Sequence, residues 1–242
     1  MKTELITLNN INFNVRIKIE HRHSSRVSIS SKSINISVPS FLPREEILKE
    51  IEKMKSWAKD RILKNPEKFK PEQIKSYHDN QEIQVGSEKY ILKIEYSNKS
   101  SSSAKIRDNT IYLNLSSNLT EERKREHITS LISRCLASKK LPEVRKRIEE
   151  LNNLHFQKEI KNIFMKYNHS NWGSCSQKGN INISTRALFA PRDVLDYLYI
   201  HELAHLVEQN HSNQFWTLVQ KAIPDYKEKQ KWLKENGGNC KF

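Results

Sequence analysis

The stretch that most restricts this chain runs from Pro191 to Gln209, where His201-Glu-Leu-Ala-His205 sits inside an almost wholly apolar run. Helical residues four apart lie about 40° apart around the axis, so His201 and His205 share one face. Glu202 falls about 100° from His201, beside a metal held there and not on it, where a general base belongs. Val194, Leu195, Tyr197, Leu198, Tyr199, Ile200, Leu203, Leu206 and Val207 make the helix apolar on nearly every side, so it is expected to be central and buried. Imidazoles and a carboxylate buried there without partners are costly. A bound metal removes that cost; satisfied core histidines are the plainer alternative. The helix is expected to begin at Pro191 and end near Gln209-Asn210, with Asn taking a left-handed turn. The chain then doubles back and brings His211 toward a third ligand position. Three neutral imidazoles leave Zn2+ its full charge and one open position, the layout of a catalytic and not a structural site.

Length and charge set the frame for that helix. A chain of 242 residues buries a real core, as one domain or two small ones. Its net charge of +14 attracts nucleic acid or other polyanions nonspecifically, with a solvated lysine-rich surface as the simpler reading. Arg123, Lys124, Arg125, Lys139, Lys140, Arg145, Lys146 and Arg147 are the best candidates for such a patch. Cys135, Cys175 and Cys240 are too few and scattered for a disulfide framework, so a cytoplasmic location is expected. No apolar run approaches the ~18 residues a membrane helix needs, and the polar start carries no expected secretory signal.

Residues 4–38 read as strands. Ile11, Phe13, Val15, Ile17 and Ile19 alternate with polar residues, and Val27, Ile29, Ile34, Ile36 and Val38 alternate again around a tip at Ser31-Lys32-Ser33. A β-meander is expected, then a helix over about 42–64 with Ile47, Leu48, Ile51, Met54, Ala58 and Ile62 as its stripe. Residues 65–80 read as a connector carrying Pro66 and Pro71. A second β section succeeds it, with turns at Val85-Gly86-Ser87 and Asp108-Asn109. The two sections resemble each other only in alternation, which is too little to read as a duplication. From Leu119 the pattern turns helical, with a break expected at Leu141-Pro142. A hairpin over Trp172–Ser176 and Asn180–Ser184 leads into the histidine helix; its strand can pair with an extended peptide. After it, Ser212 reads as a helix cap and Pro224 as the start of the last helix. The whole reads as α+β: a β-rich region 1–118, a region 119–236 built around the histidine helix, and a loose tail 237–242.

Trp172-Gly-Ser-Cys-Ser, Gly179-Asn-Ile, Ala190-Pro191, Val194-Leu-Asp-Tyr197, His201-Glu-Leu-Ala-His205, Asn210-His-Ser212, Phe215-Trp216 and Pro224-Asp-Tyr-Lys227 form an ordered series. It resembles the YgjP-like predicted metal-dependent hydrolases, zincins related to the SprT-like and WLM peptidases. The resemblance is densest over residues 170–236 and implies a zincin-like C-terminal half. It also implies zinc on His201, His205 and His211, with Glu202 as base. The family usually has Arg before the Trp-Gly-Ser-Cys motif; this chain has Asn171, which puts its specificity in question. The His201–His211 spacing also matches metzincins, but Glu208 stands where they have glycine and no methionine comes after Met165 to form their turn.

A zinc-activated water would lose its proton to Glu202 and attack a carbonyl. Tyr226 and His169 are candidates by residue type for a second oxyanion donor. Asp196 or Glu208 are candidates to orient a ligand imidazole, or are ordinary surface groups. Cys175 reads as a small buried residue before a nucleophile or fourth ligand. A zinc metallopeptidase is the leading expectation. A hydrolase of a nucleotide or other phosphorylated small molecule is a second, though no glycine-rich phosphate cradle is visible. A noncatalytic, zinc-containing nucleic-acid-binding module is a third, and the intact Glu202 weighs against it.

Overall fold

The computed structural model describes residues 2–30, 33–69 and 76–242, which form two compact units, Met1–Ile74 and Lys75–Phe242. The expected tip at Ser31-Lys32 and the connector around Pro71 lie outside the described residues.

In the first unit, β1 (Lys2–Leu8), β2 (Ile11–Glu20), β3 (Arg26–Ile29) and β4 (Ser33–Pro39) form one sheet, succeeded by α1 (Arg44–Lys64). Asn9 and Asn10 both take left-handed φ, 49° and 61°, which matches a two-residue hairpin to the twist of β1 and β2. Alternation buries Phe13, Val15 and Ile17 against Ile34, Ile36 and Val38, and Ile51, Ala58 and Ile62 of α1 complete the core. The strand order is β1-β2-β4-β3, not a meander: β4 pairs parallel with β2 and antiparallel with β3. The two most apolar inner faces take the centre, and the four-residue, half-buried β3 is left at the edge.

The second unit begins with β5 (Glu82–Val85), β6 (Glu88–Ser97), β7 (Ser103–Arg107) and β8 (Thr110–Ser116), then α2 (Glu121–His155). This is the first unit's layout again. The order is β5-β6-β8-β7, with the same parallel centre and antiparallel edges. Even the register repeats: Val15 faces Ile34 and Leu92 faces Ile111, each pair 77 residues from its counterpart (92 − 15 and 111 − 34). The helices start at the same offset, Arg44 and Glu121 (121 − 44). The chain thus carries a ββββα unit twice.

The two copies differ in how they are continued. β5–β8 and α2 share one core with all the later elements, so the boundary between units falls after Ile74 and not near residue 118. α2 also runs unbroken through Pro142, where two helices were expected. Proline costs a helix interior about 3 kcal/mol. Ile128, Ile132 and Leu136 before it and Val144, Ile148 and Leu151 after it are buried in the same core, which outweighs that cost.

A second sheet of this unit holds β9 (Asn162–Lys166), β10 (Gly173–Cys175) and β11 (Asn180–Ser184) in the order β10-β11-β9. A 3₁₀ segment, Thr185–Phe189, leads to α3 (Arg192–Ala204), then α4 (Asn213–Ala222) and α5 (Tyr226–Asn236). The C-terminal residues are not a loose tail. Cys240 and Phe242 are buried, and Phe242 packs on Tyr167 and Phe189 at ring distances of 5.9 and 4.9 Å. An aromatic last residue has found an apolar slot. Among the described residues no helix is long and apolar enough to cross a membrane.

Candidate metal centre

α3 is the helix the sequence marked out, and Val194, Tyr197, Leu198, Tyr199, Ile200, Leu203 and Ala204 bury it. It ends earlier than expected, at Ala204. The chain tightens there through bonds from the Leu206 and Val207 amides to the carbonyls of Leu203 and Ala204, 2.9 and 3.0 Å long. His205 keeps right-handed helical angles at the cap, so its relation to His201 survives. Asn210 is not left-handed; the return needs no such residue. Instead Glu208 accepts the Asn210 amide at 3.1 Å, and Ser212 caps α4 by accepting the Phe215 amide at 3.3 Å.

This return brings His211 back onto α3. Its Nε2 lies 3.1 Å from Nε2 of His201, and one nitrogen from each of His201, His205 and His211 falls within 4.8 Å of the others. Phe215, fully buried, packs on all three rings at 4.6–4.9 Å. Burial and the neighbouring imidazoles push His201 down to about 3, and burial chiefly lowers His205. Both rings are therefore neutral, the form that ligates a metal. Two hydrogen bonds fix ring orientation. Nδ1 of His205 donates to the Glu208 carbonyl at 3.1 Å, and Nδ1 of His201 lies 3.5 Å from the Tyr197 hydroxyl. Each leaves Nε2 free for a metal.

Glu202 is buried beside them, 4 % exposed, and its Oε2 has no hydrogen-bond partner. Burial pushes its carboxyl up to about 8. The carboxylate rests against Gly173 of β10, where a Cβ would collide with its Oε1 and Cδ. Three convergent imidazoles and an orphaned buried carboxylate oxygen fit a bound metal ion of the zinc type.

β10 forms one wall of the cavity, about 500 Å³, that holds these side chains. Trp172 and Ser176 bond across to β11, at 2.7 and 3.0 Å, so Gly173 and Cys175 turn their amides and carbonyls to the free edge. Asn171 sits at that edge, and its side-chain amide donates to the Gly173 carbonyl at 3.1 Å. The Cys175 thiol lines the same cavity, but burial first and Glu202 second push it up to about 11. It is a protonated, unreactive thiol.

Several expected roles fall elsewhere. Asp196 orients no ligand; Arg147 of α2 holds it bidentately at 2.7 and 2.9 Å. Glu208 acts on His205 through its main-chain carbonyl and not through its carboxylate. Tyr226 is stacked on Trp216 at 5.4 Å, and His169 packs edge-on against Tyr167 at 4.8 Å; neither lines the cavity. Two further residues carry weight that their place in the sequence does not announce. Tyr197 stands four before His201, a spacing that signals a helical neighbour. Arg186 donates to the carbonyls of His169, Gly237 and Cys240 at 2.6–2.9 Å and lies 4.6 Å over the Trp172 ring. It fixes the start of β10.

Converging imidazoles with a buried acid between a helix and a free strand edge define the class of metal-dependent hydrolases. The chain belongs to the YgjP-like family: its metallopeptidase domain matches residues 23–236. Among solved structures it is similar to the metallopeptidase zymogen abylysin of Pyrococcus abyssi, at 24% identity over 38% of this chain and 93% of that one, with a TM-score of 0.35. It is likewise similar to the zymogen jannalysin of Methanocaldococcus jannaschii, at 19% identity over 38% and 94%, with a TM-score of 0.34. No curated protein matches the chain.

Proposed function

We propose that this protein is a zinc metallopeptidase in which His201, His205 and His211 hold Zn2+ and Glu202 is the general base and acid. The observation that carries the reading is the unpartnered, buried Oε2 of Glu202 beside three imidazole nitrogens. When bound, zinc would supply an acidified water and a polarised carbonyl. Glu202 takes up a proton at Oε2 and later returns it to the leaving amine. The apolar walls that make its carboxyl reluctant to ionise also make the carboxylate a strong base. Tyr197 and the Glu208 carbonyl keep two ligand rings from turning. The outward amides and carbonyls of β10 favour an extended polypeptide, which can add as a strand along that edge.

The test is a parallel screen of unfolded casein and a nucleotide panel against wild type, Glu202→Gln and His205→Ala, with metal content by elemental analysis. Glu202→Gln should keep its zinc and lose about 10²-fold or more of casein cleavage. His205→Ala should lose most of the metal as well. Nucleotide hydrolysis without casein cleavage would replace the peptidase reading. Zinc loss in Glu202→Gln would make Glu202 a ligand and end it.

A further inference from the structure

Four of the eight residues of the expected polyanion patch on α2 are spent within the fold. Lys124 pairs with Glu121 at 2.7 Å, Lys139 and Lys140 with Glu88, and Arg147 with Asp196 and Glu150. The first sheet differs. One face packs on α1, and the other carries the residues of opposite parity. Register puts Lys18, Ser37 and Arg26 in one row across β2, β4 and β3, and Arg16, Asn35 and Ser28 in the next. Arg16, Lys18 and Arg26 are exposed, and none is in an ion pair among the described residues. The one carboxylate on this face among the described residues, Glu20 at its rim, is neutralised by Arg22 at 3.2 Å.

The repeat supplies an internal control. At the positions 77 residues on, Arg16 becomes Lys93 and Ser28 becomes Lys105, but Lys18 becomes Glu95 and Arg26 becomes Ser103, while Lys89 is paired with Glu82 at 2.9 Å. The same backbone therefore carries a face of mixed charge in one copy, with Glu82 and Glu95 among its lysines, and a cationic, hydrogen-bond-rich face in the other. Guanidinium, ammonium, hydroxyl and amide donors in rows are the groups that contact phosphate and sugar. No aromatic side chain stands among these rows to stack on bases, so recognition would be of backbone and not of sequence. A membrane surface would want a band of apolar residues beside the cations, and this face offers the single exposed Leu5 of β1 among the described residues of its strands. We infer that the outer face of the first sheet is a nucleic-acid docking surface, gripping the phosphate backbone through Arg16, Lys18 and Arg26.

The experiment uses the full chain and fluorescein-labelled single-stranded and duplex DNA of mixed sequence, read by anisotropy from about 50 to 200 mM salt. Arg16→Glu/Lys18→Glu/Arg26→Glu should weaken binding at least tenfold and flatten the log–log salt slope by about two to three, close to one for each phosphate no longer neutralised. Lys89→Glu/Lys93→Glu/Lys105→Glu removes the same charge from the second sheet and should change affinity less than about threefold. A milder triple, Arg16→Gln/Lys18→Gln/Arg26→Gln, should weaken binding in the same direction, and thermal melts confirm that each variant folds. Equal losses in the two Glu triples would reduce the effect to net charge and overturn the surface. So would the absence of DNA binding by wild type. Binding to phosphatidylserine vesicles in place of DNA, abolished in the first triple, would overturn the nucleic-acid partner.

Discussion

At the scale of single residues, the tightest relation in the molecule is between a missing side chain and a present one. Gly173 has ordinary backbone angles, so its role is space: the Glu202 carboxylate occupies the place of its Cβ. Gly173→Ala should therefore cost about 1–3 kcal/mol of stability in wild type and in Glu202→Gln, as overpacking does. In a Glu202→Ala background the cost should nearly vanish. A double-mutant cycle by chemical denaturation reads this without any substrate. Additive costs would mean that Gly173 serves the strand and not the carboxylate. His201, Glu202 and His205 were legible because helical spacing alone puts them together, and His211 because it follows where the chain turns back. The glycine's role was not, because it depends on a strand and a helix meeting from distant parts of the chain. The same is true of Asn171, whose bond to an edge carbonyl has no sequence signal.

Elements show where local rules lose to the core. The strands and α1 follow alternation and stripe except at Ile19 and Leu48, which are exposed, and the expected turns at Asn9-Asn10, Gly86 and Asp108-Asn109 take left-handed angles, as their residue types dictate. Strand order was not legible, since alternation says which face is buried and nothing about which strand is central. Pro142 misled for the converse reason, a local break overruled by buried residues on both sides. Two ties attach α2 to its surroundings and are testable. Arg147→Ala leaves Asp196 of α3 without its bidentate partner and should cost about 1–3 kcal/mol, measured by urea denaturation; no change would reduce the pair to a surface contact. Glu88 of β6 is held down to about 2 by hydrogen bonds from Lys140 and then Tyr90. Its folded pKa lies below its unfolded one, so the stability it adds is present above the usual carboxylate range and lost as pH falls toward 2. The melting difference between wild type and Glu88→Gln should be constant near neutrality and close between about pH 4.5 and 2. A difference that persists at pH 2 would contradict this assignment.

For the whole molecule, the duplication explains how one chain holds two cores. The copies keep residue class and register while changing identity, as in Phe13 and Tyr90, or Val15 and Leu92. Alternation therefore survived in the sequence and the repeat did not show through it. The second copy shares its core with the elements of the candidate metal centre; the first buries its sheet against α1, with Leu42 and Phe69 packed at the margin. Two separate cores should unfold in two steps, and each step should answer to its own perturbation. Ile62 is fully buried in the first core, so Ile62→Ala should lower that unit's transition by the 2–5 kcal/mol typical of such cavities, at about the same cost with or without metal. A chelator should lower only the other transition, since metal-binding energy is folding energy for the unit that forms the site. Calorimetry of wild type and Ile62→Ala, each with and without EDTA, separates the two. If either perturbation moved both transitions together, the two units would be one cooperative body, and the first copy would fold only with the unit that carries the candidate metal centre.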